Sequence, residues 1–265
     1  MADAALAFVF PGQGSQKTGM LASAYTLSDD VRSTFSEASD ALGYDVWALI
    51  AEGDQGKLNL TENTQPVLLA CSVALWRAWR AQGGPAPAVM AGHSLGEFSA
   101  LTCAGGLEFA DALRLVRERG RLMQTAVPVG EGAMAAVLGV DDANTQRICS
   151  ETASALGEVV APVNFNAPGQ VVIAGHAVAV KTAIEALKAA GAKRALPLPV
   201  SAPFHTTLMQ PAGEELADIL AGIKVKPPRI PVIHNVHARP AQEADTIRDL
   251  LVTQIANPVL WTDCV

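Results

Sequence analysis

The run Gly92-His93-Ser94-Leu95-Gly96 constrains this chain more than any other five residues. It follows a short apolar stretch, Ala88 to Ala91, that reads as a strand, and it opens a stretch from Leu95 that reads as a helix. A serine set between two glycines at a strand-to-helix turn is the G-x-S-x-G pattern, in which the glycines permit a turn sharp enough to lift the hydroxyl clear of a sheet. Ser94 is therefore a candidate nucleophile. The Leu95 N–H, at the start of a helix where the ladder has no acceptor for it, is a candidate donor to an oxyanion. The plainer alternative is a glycine-rich turn in which Ser94 only caps the helix. Both readings place a strand before the turn and a helix after it.

At 265 residues the chain has room for one large domain or a large one carrying an insertion. Leu6 to Phe10 reads as a buried strand that leaves its sheet at Pro11-Gly12-Gln13-Gly14. Helices are expected over 28–42, over 45–51, over 65–81 with Pro66 in the first turn, and over 108–125. From about Pro128 the pattern becomes β-α-β-β-α-β: strands at 133–138, 159–163, 170–174 and 194–198, with helices at 141–155 and 177–190. That order suggests an inserted ferredoxin-like subdomain over 128–199, between halves of a catalytic subdomain at 1–127 and 200–265. The second half reads as a helix over 206–222, a strand over 230–234 and a helix over 245–255.

Composition narrows the class of function. Half the residues are hydrophobic and only 17 % are charged, which excludes a disordered chain. A net charge of −7 argues against the broad basic face that nucleic-acid binding needs, so no nucleic-acid partner is expected. The four cysteines, at 71, 103, 149 and 264, form no CxxC pair and signal neither zinc nor a disulfide framework. Asp3 stands where a signal peptide needs a basic residue, and the longest apolar run, Pro66 to Trp76, falls short of the ~20 residues of a membrane span. A soluble, cytoplasmic protein with no membrane partner is expected.

Ser94 needs a base, and the five histidines are His93, His176, His205, His234 and His237. His205 is the best placed, after the apolar run Leu196 to Val200 and a Pro203 turn and before a helix whose N-terminus disfavours imidazolium. His93 reads as structural, and His176, His234 and His237 as surface or turn residues. The acids Asp141, Asp142 and Glu185 lie in the inserted unit, none placed by pattern to orient the imidazole. A backbone carbonyl can take that part, so a Ser–His dyad is chemically sufficient. By position alone Arg119, among Arg114, Arg117 and Arg121, reads as a solvated helix residue, and Asn164, Asn166 and Gln170 as polar residues satisfying turns.

The motifs Phe10-Pro11-Gly12-Gln13-Gly14-Ser15-Gln16, Gly92-His93-Ser94-Leu95-Gly96-Glu97, Arg119-Gly120 with Met123-Gln124, Asn164 to Gly175, Pro203-Phe204-His205, and Asn257-Pro258 with Trp261 occur in that order. Together they resemble the malonyl-CoA:acyl carrier protein transacylase family over essentially the whole chain. The resemblance implies a hydrolase-like α/β core with a ferredoxin-like lid. It implies Ser94 as nucleophile, His205 as base, and the N–H groups of Gln13 and Leu95 as the oxyanion hole. It further implies that Arg119 holds the malonyl carboxylate and that the Gln254 carbonyl orients the histidine. Phe204 would crowd an α-methyl group, and Asn166 would line a substrate channel. The partners implied are malonyl-CoA and acyl carrier protein, with no metal or redox cofactor, and a monomer is expected.

The family resembled usually continues with a further strand, a Gly-Pro-Gly turn and a final helix, whereas this chain stops at Val265, so a C-terminal end is expected to be missing. The rivals are an ester or thioester hydrolase using the same elbow and a non-catalytic module that binds the carrier. The adjacent basic pair Lys193 and Arg194 is a candidate contact for the acidic carrier or for coenzyme A phosphates.

Overall fold

The computed structural model describes residues 2–200 and 202–265. The chain divides into two compact units: residues 1–121, 219–234 and 239–248 form the first, and residues 122–218, 235–238 and 249–265 the second.

The first unit begins with β1 (Ala2–Phe10), followed by α1 (Ala22–Leu27), α2 (Asp29–Leu42), α3 (Val46–Ala51), α4 (Gln55–Leu58) and α5 (Thr61–Ala81), then β2 (Ala86–Gly92), α6 (Leu95–Cys103) and α7 (Phe109–Thr125). Both α2 and α3 start at side-chain caps, Ser28 and Asp45, each accepting a backbone N–H from the first turn. β1 and β2 run parallel, with Phe10 level with Gly92. The loop after β1 and the turn after β2 therefore leave the sheet at the same end. All nine residues of α6 are buried, polar ones included. A helix without a solvent face is a core element, so its polar side chains must find partners inside the protein.

α5 starts one turn before the expected position, at Thr61, and Pro66 therefore lies past the first turn. Leu60 supplies no side-chain cap, and the Thr64 hydroxyl donates back to the carbonyls of Leu58 and Leu60, at 2.5 and 3.1 Å. The proline sits where its missing N–H removes only the bond to the Glu62 carbonyl. Gly120 on α7 packs against this same turn, where a β-carbon would lie 2.5 Å from the Thr61 carbonyl oxygen. The close approach brings the neighbouring Arg119 within reach of α5.

In the second unit, β3 (Gly132–Leu138), α8 (Asp142–Leu156), β4 (Val160–Ala167), β5 (Gln170–His176), α9 (Ala177–Ala189) and β6 (Arg194–Pro197) follow the order β-α-β-β-α-β. Their strands form one antiparallel sheet in the order β4-β5-β3-β6. Its core joins Val137, Val160, Val171 and Ile173 to the α9 stripe Val180, Ala183, Ile184 and Leu187.

α10 (Gln210–Ala221) is preceded by a separate 3-10 turn at Thr207–Met209, where the sequence suggested one continuous helix. Pro211 has no N–H for the Thr207 carbonyl, which is taken instead by the Gln210 N–H in the tighter pattern. β7 (Val232–His234) joins β2 in the first sheet, in parallel, and β8 (Arg239–Pro240) pairs antiparallel with β7. The chain closes with α11 (Ala244–Gln254) and α12 (Trp261–Cys264). Among the described residues no helix is long and apolar enough to cross a membrane.

Candidate active site

Ser94 sits between β2 and α6 with φ 52° and ψ −107°, a conformation that L-residues rarely adopt. The glycines around it explain how the turn closes. A β-carbon on Gly92 would stand 1.9 Å from the Gly96 carbonyl, one on Gly96 would stand 2.2 Å from the Phe10 carbonyl oxygen, and one on Gly12 would stand 2.6 Å from the His93 carbonyl oxygen. The Gln13 loop is thus packed backbone to backbone on the elbow, and the Gln13 side chain donates to Thr61 Oγ1 at 3.3 Å. The Gly96 and Glu97 N–H groups turn back to the His93 and Ser94 carbonyls at 2.9 and 3.0 Å. The Leu95 N–H, in the first turn of α6, lies outside that ladder.

Arg119 is 1 % exposed. Its Nη1 donates to Gln65 Oε1 at 2.8 Å and its Nη2 to Ser94 Oγ at 3.1 Å, while the guanidinium lies over the Phe98 ring, 5.1 Å from its centroid. Burial lowers its pKa to about 10, and the nearby charge of Glu97 acts in the opposite sense. Arg119 therefore stays a cation at neutral pH, within bonding distance of the elbow hydroxyl. That pairing suits an acyl group with an anionic far end, because a guanidinium can meet a carboxylate with two parallel bonds.

Glu97, on α6, and His234, at the end of β7, are both fully buried, with Nδ1 of the histidine 2.6 Å from Glu97 Oε1. The expectation of a surface or turn position for His234 is thus corrected. The strand end that carries it packs against α6, and Glu97, 137 positions away in sequence, meets its ring nitrogen there.

His205 belongs to the second unit, 4 % exposed, with φ 63°. Its Nδ1 lies 2.8 Å from the Gln254 carbonyl oxygen. A carbonyl only accepts, so Nδ1 carries the proton and Nε2 is left as the basic nitrogen of the ring. Gln254 ends α11, where the last carbonyls have no helical partner and can be used in this way. The Gln254 side chain, also fully buried, donates to Asn235 Oδ1 at 3.4 Å. Phe204 is buried beside the histidine in the chain, in a turn that Thr206 braces by donating to the Pro203 carbonyl at 2.7 Å. Asn166 is half-buried on β4. Among the candidate residues, the geometry within each unit joins Ser94 to Arg119 in the first and His205 to Gln254 in the second.

Residues 7–265 match the acyl transferase domain family. The chain belongs to that family. The malonyl CoA-acyl carrier protein transacylase of Escherichia coli strain K12 is 60 % identical over 259 residues, which are 98 % of this chain and 83 % of the relative. The solved structure of the transacylase from Xanthomonas oryzae covers all of this chain and 83 % of its own length, at 51 % identity and a TM-score of 0.97. A third relative, 56 % identical with a TM-score of 0.95, is a malonyl-transacylase solved with a type II polyketide acyl carrier protein; the match spans 97 % of this chain and 82 % of that one.

Four residues of this acyl transferase domain escaped the sequence reading. Gln65 seemed a polar start to a helix, because Pro66 suggested a first turn there; once α5 begins at Thr61, Gln65 is an interior residue 1 % exposed, aimed at Arg119. Phe98, fully buried on α6, carries no local mark of its place under the Arg119 guanidinium. Glu97 was seen only as part of a motif, although a glutamate inside an otherwise apolar helix is a signal that a buried partner exists. His234 carries no such signal, since its partner is 137 positions away.

Proposed function

We propose that this acyl transferase moves malonyl from coenzyme A to the phosphopantetheine thiol of acyl carrier protein, in fatty-acid synthesis, through a malonyl ester on Ser94. The observation that carries the reading is the buried Arg119 guanidinium at 3.1 Å from Ser94 Oγ. An acyl group on that oxygen whose chain ends in a carboxylate reaches the cation; an acetyl group has nothing to offer it. The transacylase relatives, named for this reaction, support the same substrates for this chain.

In this mechanism Ser94 attacks the thioester carbonyl carbon while its proton passes to Nε2 of His205, whose Nδ1 is held by the Gln254 carbonyl. The N–H groups of Gln13 and Leu95 receive the oxyanion. Collapse breaks the carbon–sulfur bond, and the coenzyme A thiol leaves with the proton from His205. The carrier thiol then repeats the sequence on the ester and restores Ser94. In the same reading Phe204 crowds an α-methyl group, Asn166 lines the path of the substrate, and the enzyme works as a cytoplasmic monomer without metal or redox cofactor.

Intact-mass analysis after brief mixing with malonyl-CoA tests this. One malonyl group is expected, mapped to Ser94, absent in Ser94→Ala and discharged by holo-carrier much faster than by water. An adduct elsewhere, or discharge by water as fast as by carrier, would replace the transferase reading, the second outcome with a thioester hydrolase.

A further inference from the structure

The first sheet and α6 hold a buried acid and a buried histidine that the reaction above does not use. Glu97 and His234 expose none of their side-chain surface and lie 2.6 Å apart. Hydrogen bonding alone does not explain an acid there, since a glutamine in the same place could accept the same ring N–H. What a glutamine would lack is the charge. Glu97 lies in the first turn of α6, three residues after Ser94, whose Oγ accepts from Arg119 Nη2 at 3.1 Å, and next to Phe98, whose ring lies 5.1 Å from the guanidinium; its charge there acts on Arg119 against the effect of burial.

We propose that Glu97, oriented by His234, is a positioning residue for acyl selectivity: its buried carboxylate is the counter-charge that keeps the Arg119 guanidinium beside Ser94 while no acyl carboxylate is bound. The inference rests on the malonyl reading of Arg119 and deepens it. A buried cation deprived of its counter-charge is relieved by moving toward water, and every malonyl group would then have to draw it back. Acetyl transfer does not use the guanidinium and is spared that cost. The His234 ring has a second part, fixing the Glu97 carboxylate by one short bond so that its charge stays near the cation.

The test compares charge with shape. Glu97→Gln keeps the shape and the acceptor but deletes the charge; Glu97→Asp keeps the charge and shortens the arm. The malonyl-to-acetyl ratio of kcat/KM is expected to fall on the order of tenfold to a hundredfold in Glu97→Gln, within the range of coupling between residues of one network, and markedly less in Glu97→Asp. His234→Asn, which retains a donor near the place of Nδ1, should preserve more of the ratio than His234→Leu, which has none. A ratio unchanged or raised in Glu97→Gln, a parallel loss of both activities, or a ratio better kept by Gln than by Asp would overturn the counter-charge role. If Glu97→Gln does not fold, the two His234 variants still decide: a ratio kept no better by His234→Asn than by His234→Leu overturns the role. Wild-type enzyme assayed alongside separates the two claims: failure to form a malonyl ester there refutes the functional reading itself, whereas a normal wild-type ester with an unmoved ratio refutes only this inference.

Discussion

A guanidinium taken out of water loses hydration that neutral neighbours do not fully replace, and Arg119 is buried to 1 % exposure. Its lowered pKa, about 10, is the mark of that penalty. The folded value lies below the ordinary arginine value, so the cost to folding is present in full at neutral pH and is relieved only as pH rises beyond about 10. For function the sign is the reverse, because the charge that binds a carboxylate is lost over that same rise. The malonyl-to-acetyl ratio should be flat across neutral pH and decline as pH climbs through about 10. Arg119→Ala should cost malonyl transfer about 2–5 kcal/mol, the penalty for truncating one partner of a buried charge pair, while acetyl transfer holds or rises. Arg119→Lys should recover part, since an ammonium cannot reproduce two parallel bonds. Measuring kcat/KM with both acyl-CoAs in the three proteins checks this; an equal fall for both would make Arg119 structural.

At the scale of elements, the elbow concentrates strain in one residue and removes clashes through its neighbours. A non-glycine residue in a sparsely populated backbone region costs about 1–3 kcal/mol, and Ser94 at φ 52° is such a residue. Ser94→Gly and Ser94→Ala both delete the hydroxyl and its bond from Arg119, so their difference isolates the backbone. Glycine should be the more stable of the two by about 1 kcal/mol, after ~0.4–1 kcal/mol is returned to the unfolded chain's entropy. Urea unfolding of the pair reads this directly, and an alanine variant at least as stable as the glycine one would show that no strain is held there. The elbow was legible in the sequence because its glycines, serine and helix start are contiguous. The contacts Gln65 to Arg119 and Glu97 to His234 were not, because they join residues 54 and 137 positions apart, and no local pattern records such a pairing. Local chemistry also misled in one place and was underread in another: Pro66 suggested a helix start a turn late, and Pro211 marked a break that helical periodicity had bridged.

For the molecule as a whole the relevant quantity is charge at a distance. A net charge of −7 repels coenzyme A phosphates and an acidic carrier alike, so approach has to be carried by local basic ground. Lys193 and Arg194 supply a place where two basic residues adjoin, and the fold holds them. The Lys193 N–H donates to the Leu138 carbonyl at 2.8 Å, and its stem lies over Gly139, where a β-carbon would come within 2.8 Å of Cγ. Arg194 opens β6 and faces solvent. Reversing both charges should raise KM for an anionic partner severalfold at low ionic strength and leave kcat unaltered, because these residues steer the encounter and touch no reacting atom. The effect should shrink as added salt shortens the screening length toward ~3 Å at 1 M. Separate titrations of malonyl-CoA and of carrier tell which partner uses the pair: a rise in KM for the carrier alone assigns a docking surface, and a rise for malonyl-CoA alone assigns phosphate steering. If KM for both stays fixed at low ionic strength, Lys193 and Arg194 are merely solvated, and the approach of anionic partners depends on basic side chains elsewhere.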